Sequence, residues 1–283
     1  MSEQIPMKAG EPWRLGVFRD RDDLVTRWNA DDVLLVPNVG NALYAVGFAC
    51  SDRALQAAQR LRFEVFNVEL KEGLFASWQT GRDEDPFDRQ MSHLVLIQKA
   101  TGRVIGTYRL QTQEQTFAGG LGYYSESEFD LTQLRPLLPH AVELGRACIL
   151  DGHRSFGTVL MLWKGIRAFL ERFGKTTLFG CCSLTSIDPD DGWRAMRTLR
   201  RKGALHPSLH LEPLPACSCG PASRETDGSI AEELELPKLF SAYLRLGAQV
   251  ISAPALDREF GTVDFLILLD AREVSMSALE GIR

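Results

Sequence analysis

Residues 140–174 read HAVELGRACILDGHRSFGTVLMLWKGIRAFLERFG, and this stretch decides the fold. Its first part, 140–150, is a short apolar run of strand length interrupted by Glu143 and Arg146. Its second part places apolar residues three and four apart until Gly174, a residue suited to the left-handed turn that ends a helix. Strand, turn and helix in that order make half of an α/β layer.

The same alternation recurs downstream. TTLFGCCS (176–183) predicts a strand and DPDDGWRAMRTLRRKG (188–203) a helix opened by acidic residues. LPKLFSAYLRLG (236–247) predicts another helix, AQVISAP (248–254) a strand, and TVDFLILLD (262–270) a strand apolar enough for the middle of a sheet. Upstream, LYAVGFAC (43–50) reads as a strand, and Ser51 or Asp52 can cap a helix through RALQAAQRLRFEVF (53–66). SHLVLIQ (92–98) and VIGTYRLQ (104–111), joined across a Thr-Gly turn, form a hairpin signal. An early hairpin followed by strand-helix alternation predicts an α/β fold with a mixed central sheet and helices on both faces. Residues 1–40 read as an N-terminal extension or loose cap, 41–283 as one domain, and 204–235 as an excursion with little periodicity. The polar loop holding Trp78 and DEDPFD (83–88) is too long for a simple connection.

With 283 residues and 45% hydrophobic content, the chain can bury a sizeable core. Its 32 Lys plus Arg against 37 Asp plus Glu, a formal charge of -5, supply no general field for a polyanion, so no nucleic-acid partner is expected. The opening MSEQIPMKAGEPW is polar, and no long uncharged apolar run occurs, so neither a secretory leader nor a membrane span is expected. Six cysteines, two of them adjacent at 181 and 182, look like thiols of a reducing compartment. Cytoplasmic residence follows as the expectation, with loose contact at a membrane surface left open.

Signatures for dinucleotide, P-loop and zinc-protease sites are absent. The GCCS cysteines read as packed strand residues rather than nucleophiles. His206, His210, Cys217 and Cys219 match no strong zinc spacing, and no metal is expected. More informative are Glu143, Arg146 and Arg109, charges set in apolar strands where burial is costly unless they are paired or employed. A structural ion network and an active site would leave the same mark. Simple alternation puts Glu143 and Arg146 on opposite faces unless a bulge near Leu144 and Gly145 re-aims them. At DGHRSFGT (151–158), Arg154 and Gly157 open a helix whose free N–H groups suit an anion, or form an ordinary helix start.

RLRFEVF (60–66), DPFD (85–88), VIGTYRLQ, VELGRACI (142–149), HRSFGTVLMLWKGI (153–166), LFGCCSLTSIDP (178–189) and the block 236–269 together resemble the ornithine N-acyltransferase family of ornithine-lipid synthesis. That family has the GNAT fold and is often labelled hemolysin-like. It is similar also to acyl-homoserine-lactone synthases and long-chain N-acyl amino acid synthases. The resemblance spans about residues 43–270 and implies a GNAT-like sheet of about seven strands. It implies a long-chain acyl group, plain or 3-hydroxy, moved from acyl carrier protein, or from CoA, to the α-amine of ornithine or a similar small amino acid.

By the same resemblance, Arg62, Phe66, Asp85, Asp88, Arg109, Glu143 and Arg146 build the acceptor side. Glu143 takes the amine proton, Arg109 and Arg146 hold the acceptor carboxylate or lock the acidic loop, and Asp88 meets a second cationic amine. Ala147, Cys148 and Ile149 with Arg154 and Gly157 serve the pantetheine donor. Val159 departs from the small residue that the GNAT pattern has there, which favours carrier-protein-borne pantetheine over CoA. Phe66, Leu74, Phe75, Trp78, Phe156 and Trp163 are candidates for the acyl groove or for the core. The competing readings are an N-acyl amino acid synthase with another acceptor and a non-catalytic module that binds a carrier protein or lipid.

Overall fold

The computed structural model of the protein describes residues 28–222 and 234–274. Nine strands form one sheet in the order β1-β2-β3-β4-β5-β6-β9-β7, with β8 also pairing β9. These are β1 Val33–Gly40, β2 Tyr44–Ala49, β3 Ser92–Gln98, β4 Arg103–Thr112, β5 Ala141–Ile149 and β6 Thr177–Leu184. Gln249–Val250 (β7), Ala255–Asp257 (β8) and Thr262–Asp270 (β9) complete it. Every pairing is antiparallel except β5 with β6, so the sheet is mixed, as expected.

The helices are α1 Asp52–Phe63, α2 Ser77–Thr80, α3 Gln113–Gly119, α4 Phe156–Phe173, α5 Pro189–Arg201 and α6 Lys238–Arg245. Ser51 caps α1 by accepting the Ala54 N–H at 3.2 Å. The helix then widens into a π-helical stretch, Glu64–Leu70. Gly174 ends α4 in the left-handed region at φ 62°, as its position in the sequence predicts.

Strand alternation sorts the two faces of the sheet. On one, Gly165 of α4 lies against Leu94 and Val46, Tyr108 meets Tyr243 of α6 by a 2.8 Å hydroxyl contact, and Phe265 packs on Phe240. The opposite face carries Arg109, whose partner Asp88 also binds Gln59 and Arg62 of α1. Helices therefore cover both faces.

Two expectations change. Residues 33–40, read as part of the N-terminal extension, form edge strand β1 because VLLV pairs with β2 and buries Val33 and Val36; residues 1–27 of that extension lie outside the described residues. The sheet has nine strands rather than about seven, the additional ones being β1 and the three-residue β8. The described part of the 204–235 excursion is tied to the sheet end through bridges Leu205↔Val250 and Leu211↔Ser252 and through the Trp193 indole, which donates to Cys219 O at 3.0 Å.

The β5–β6 pairing determines where a site can form. It covers only Ala141↔Thr177, Val142↔Leu178 and Glu143↔Phe179, although both strands run several residues further. Where it ends, β6 passes so close that a Cβ at Gly180 would stand 2.1 Å from Leu144 O. Gly180→Ala should thus push the two strands apart, lowering stability by at least about 1–3 kcal/mol in urea denaturation, the range for overpacking a tight site.

Candidate active site

β5 carries the bulge that simple alternation required. Arg109 pairs with Gly145 and Thr107 with Cys148, so Arg146 and Ala147 together oppose Tyr108. Arg146 sits at φ 48°, a left-handed conformation uncommon for a residue with a side chain. This extra residue turns its guanidinium to the side occupied by Arg109, and both arginines reach Asp85, at 3.3 and 2.6 Å.

Behind them lies a closed ionic network. Arg62 of α1 contacts Asp83 at 2.8 Å and Asp88 at 2.6 Å, Arg146 contacts Asp83 at 3.2 Å, and Arg109 contacts Asp88 at 3.1 Å. Three guanidinium groups thus face three carboxylates; Arg62, Arg109, Asp83 and Asp88 are buried, and the side chains of Arg146 and Asp85 are 7% and 8% exposed. A 3-10 turn at Pro86–Arg89 delivers Asp85 and Asp88 from the long polar loop. Burial alone would raise the Asp88 carboxyl, but the charges of Arg62 and Arg109 outweigh it and hold the group well below the ordinary range. His93, whose Nε2 lies 2.8 Å from Asp88 O, is pushed down to about 4 by burial and so is neutral at pH 7.

Glu143 pairs with Gln111 in register and is 2% exposed. Its Oε1 accepts from the Ser125 N–H at 2.7 Å and the Ser125 hydroxyl at 2.6 Å, and Oε2 accepts from the Tyr124 N–H at 3.0 Å. Burial raises this carboxyl despite those bonds. Tyr124 lies beneath the Arg109 and Arg146 guanidinium groups, 5.1 and 4.8 Å from its ring centre, and Phe260 stacks on Arg146 at 4.3 Å.

Where β5 and β6 part, a cavity of about 260 Å³ opens through the sheet. One wall is polar, from Glu143, Arg109, Arg146, Tyr124, Ser183 and Asp264; the other is apolar, from Tyr108, Trp163, Leu178, Phe240, Tyr243 and Leu269. Along β4 and β6 the division follows the period of two, Tyr108 against Arg109 and Cys182 against Ser183.

Of the predicted residues, Glu143, Arg109, Arg146, Phe66 and Ala147 meet at this cavity. Arg62, Asp85 and Asp88 stand behind the wall as anchors. Asp88 cannot take a second cationic amine, because Arg62, Arg109 and Gln59 already occupy both of its oxygens and it is 2% exposed. Cys148 and Ile149 continue β5 beyond the bulge but do not line the cavity, and the Cys148 thiol is buried and raised. Arg154 and Gly157 lie apart from it at the start of α4, with Arg154 held by Glu69 through two 2.6 Å bonds. Among the apolar candidates, Phe66 and Trp163 line the cavity, whereas Phe75 and Trp78 are exposed. Among the described residues, the cysteines and histidines weighed for zinc are not gathered into a group of three or more donors; Glu128, Cys181 and Asp264 do bring an acid, a thiol and an acid within 4.8 Å of one another. Asp264 was legible by the logic that picked out Glu143, as the single internal acid of TVDFLILLD. Nothing in the sequence marks Asp83 above its acidic neighbours, or Glu128 at all.

Residues 61–164 match the family described as Acetyltransferase (GNAT) domain. The chain is 33% identical over 258 residues to an L-ornithine N(alpha)-acyltransferase of Brucella abortus, covering 86% of this chain and 89% of the relative. It is 31% identical over 247 residues to the L-ornithine N(alpha)-acyltransferase of Agrobacterium fabrum, covering 80% of each. Among solved structures, FeeM, an N-acyl amino acid synthase from uncultured soil microbes, is 11% identical at a TM-score of 0.47, covering 82% of this chain and 94% of that one.

Removing one member of the network leaves its partners as unpaired buried charges. Asp88→Ala should cost about 3–5 kcal/mol in urea denaturation. His93, whose folded value is depressed, contributes stability that is complete above its ordinary value of 6.5 and lost as pH falls toward about 4. In His93→Gln, which retains a donor for Asp88 O, the wild-type-minus-variant difference in unfolding free energy should fall over that interval.

Proposed function

Because the chain belongs to the L-ornithine N(alpha)-acyltransferase family, we propose that this acyltransferase moves a long-chain acyl group from an acyl-carrier-protein pantetheine thioester to the α-amine of ornithine. The carrying observation is the two-walled cavity at the β5–β6 divergence, where an apolar chain and a small charged acceptor can meet edge to edge.

In this reading the acceptor carboxylate lies against Arg109 and Arg146. Arg109 has a buried Nε with neither a hydrogen-bond nor an ion-pair partner among the described residues, so ionic pairing has not spent every donor there, whereas Arg146 Nε stands 3.2 Å from Asp83 Oδ2. Glu143 takes the proton of the α-ammonium, and its raised carboxyl suits a base that must accept and release a proton. Glu143 passes that first proton to solvent; the free amine then attacks the thioester carbonyl, a C–N bond forms, the nitrogen gives up its second proton through Glu143 to the departing thiolate, and the C–S bond breaks to leave the amide and the free thiol. Beyond Glu143, β5 has no ladder to β6. The Ala147 N–H on that stretch polarises the carbonyl oxygen, and the edge formed with Cys148 and Ile149 receives the pantetheine amides.

The acyl chain runs along Tyr108, Trp163, Phe240 and Tyr243, gaining roughly 0.8 kcal/mol per buried methylene. Leu70 and Leu239, both partly open to solvent, stand at its mouth. At the start of α4, near Gly157, the donor meets an Arg154–Glu69 pair rather than a free cation, which fits carrier-borne pantetheine better than a CoA pyrophosphate. An amphiphilic product suits release at a membrane surface, and the exposed rings of Phe75 and Trp78 offer apolar contact there. No helix among the described residues is long and apolar enough to cross a membrane.

Mass-resolved product formation tests the reading: purified protein with plain and 3-hydroxy long-chain acyl groups, on carrier protein or CoA, and a panel of amino acids, should yield N-acylornithine preferentially from the carrier. Glu143→Gln, which can keep its oxygen toward Ser125, should lower turnover by about 10²–10⁴-fold while the thermal melt shows a folded protein. Full activity in that variant would remove Glu143 from the base role.

A further inference from the structure

The polar wall holds a second acidic group that the transfer chemistry does not use. Asp264 of β9 pairs with Ser183 of β6, lines the cavity and is 4% exposed. Glu128, 3% exposed, follows the single turn Tyr124–Ser127 and hydrogen-bonds to Asp264. Asp257 of β8 lines the same cavity and accepts from the Tyr124 hydroxyl at 3.4 Å.

This group differs in kind from the Arg62–Arg109–Arg146 network. There every carboxylate has a guanidinium in contact; here none of the three acids has an ion-pair partner among the described residues, and Arg146 acts on Glu128 only at a distance. Glu128 Oε2 and Asp264 Oδ1 are buried and, apart from the bond the two acids share and the contacts of Asp264 with Ser183 and Thr262, meet no donor among the described residues. An unmade bond at a buried carboxyl is costly, and at a cavity wall it is one that a ligand can make. Two carboxyl groups in contact cannot both ionise, so the pair keeps a proton: burial, then the neighbouring acids, raise Glu128, and Asp264 is brought up to about 6. An arriving ammonium replaces that proton, which leaves to solvent, and supplies up to three donors as a compact charge.

The placement is that of a ruler. Glu143 stands beside Phe179 and Asp264 beside Ser183, on either side of β6 and on the same face of the sheet. Between them, the Cys181 thiol lies 3.7 Å from Ser125 Oγ, which binds Glu143, and 3.9 Å from Glu128 Oε1. An acceptor whose reactive amine is at Glu143 therefore points its far end toward the acid pair.

We propose that Asp264 and Glu128 form the subsite for the side-chain ammonium of a diamino acid acceptor, and so determine acceptor specificity; the proposal rests on the ornithine reading above. Its test compares kcat/KM for ornithine and for norvaline, which has the same side-chain carbons without the terminal amine, in wild type, Asp264→Asn and Glu128→Gln. Wild type should prefer ornithine by about 10–100-fold, the range for a charge-assisted hydrogen bond, and the preference should collapse in both variants through a higher KM for ornithine. Equal use of the two amino acids by wild type, or ornithine turnover with an undiminished preference in both variants, overturns the subsite alone. Wild type that acylates other amines but not ornithine overturns the acceptor reading itself, and the subsite with it.

Discussion

The buried alternation of Arg62, Arg109 and Arg146 with Asp83, Asp85 and Asp88 is the constraint on which the rest of this structure depends. Each of these ions would be too costly to bury alone, and none can leave without stranding another. The network therefore joins α1, the 83–89 loop, β4 and β5 into one unit. A connection of that length would ordinarily wander; here its carboxylates are the counter-ions of the sheet, so it is held. Only Arg109 and Arg146 extend from the network to the cavity, so the fold sets the two cations on its wall to within the tolerance of packed ion pairs.

A second constraint lies in β5. Three residue pairs join it to β6, after which this parallel ladder ends at the close approach of Gly180 to Leu144. The bulge at Arg146 and Ala147 comes immediately afterwards. One strand thus supplies a paired segment that positions Glu143, a kink that re-aims Arg146, and an edge without a ladder where a thioester can lie. Period-two alternation makes the wall on one side of that opening charged and the wall on the other apolar, without any separate lipid-binding element.

Charge compensation is uneven across the polar wall. The arginine network is matched ion for ion and carries rigidity, whereas the carboxyls of Glu143, Glu128 and Asp264 are buried with little or no cationic support, and burial raises them all. Unmatched acids cost stability, and proteins retain such costs where a ligand relieves them. In the proposed reading one amine of the acceptor loses its proton at Glu143 and the other stays charged beside Asp264, both of which line the cavity.

How much of this was legible follows from the range of the interactions involved. Strand and helix identity is a local matter of periodicity and caps, so Ser51, Gly174, the 92–111 hairpin and the central strands could be read from neighbours in the chain. Glu143, Arg109, Arg146 and Asp264 were visible as charges in strands that otherwise exclude them. Edge strand β1 was missed because VLLV is short and its partner, β2, makes it a strand. Roles were less legible than positions: Asp88 carried the same acidic signal whether it faced substrate or arginine, and only its saturation by Arg62, Arg109 and Gln59 decided between them. The sequence by itself determined an α/β acyltransferase of this family and which charges had to be employed. The tertiary structure alone decided which of them meet one another and which meet the cavity, because a buried charge takes its function from the partner that long-range packing brings to it.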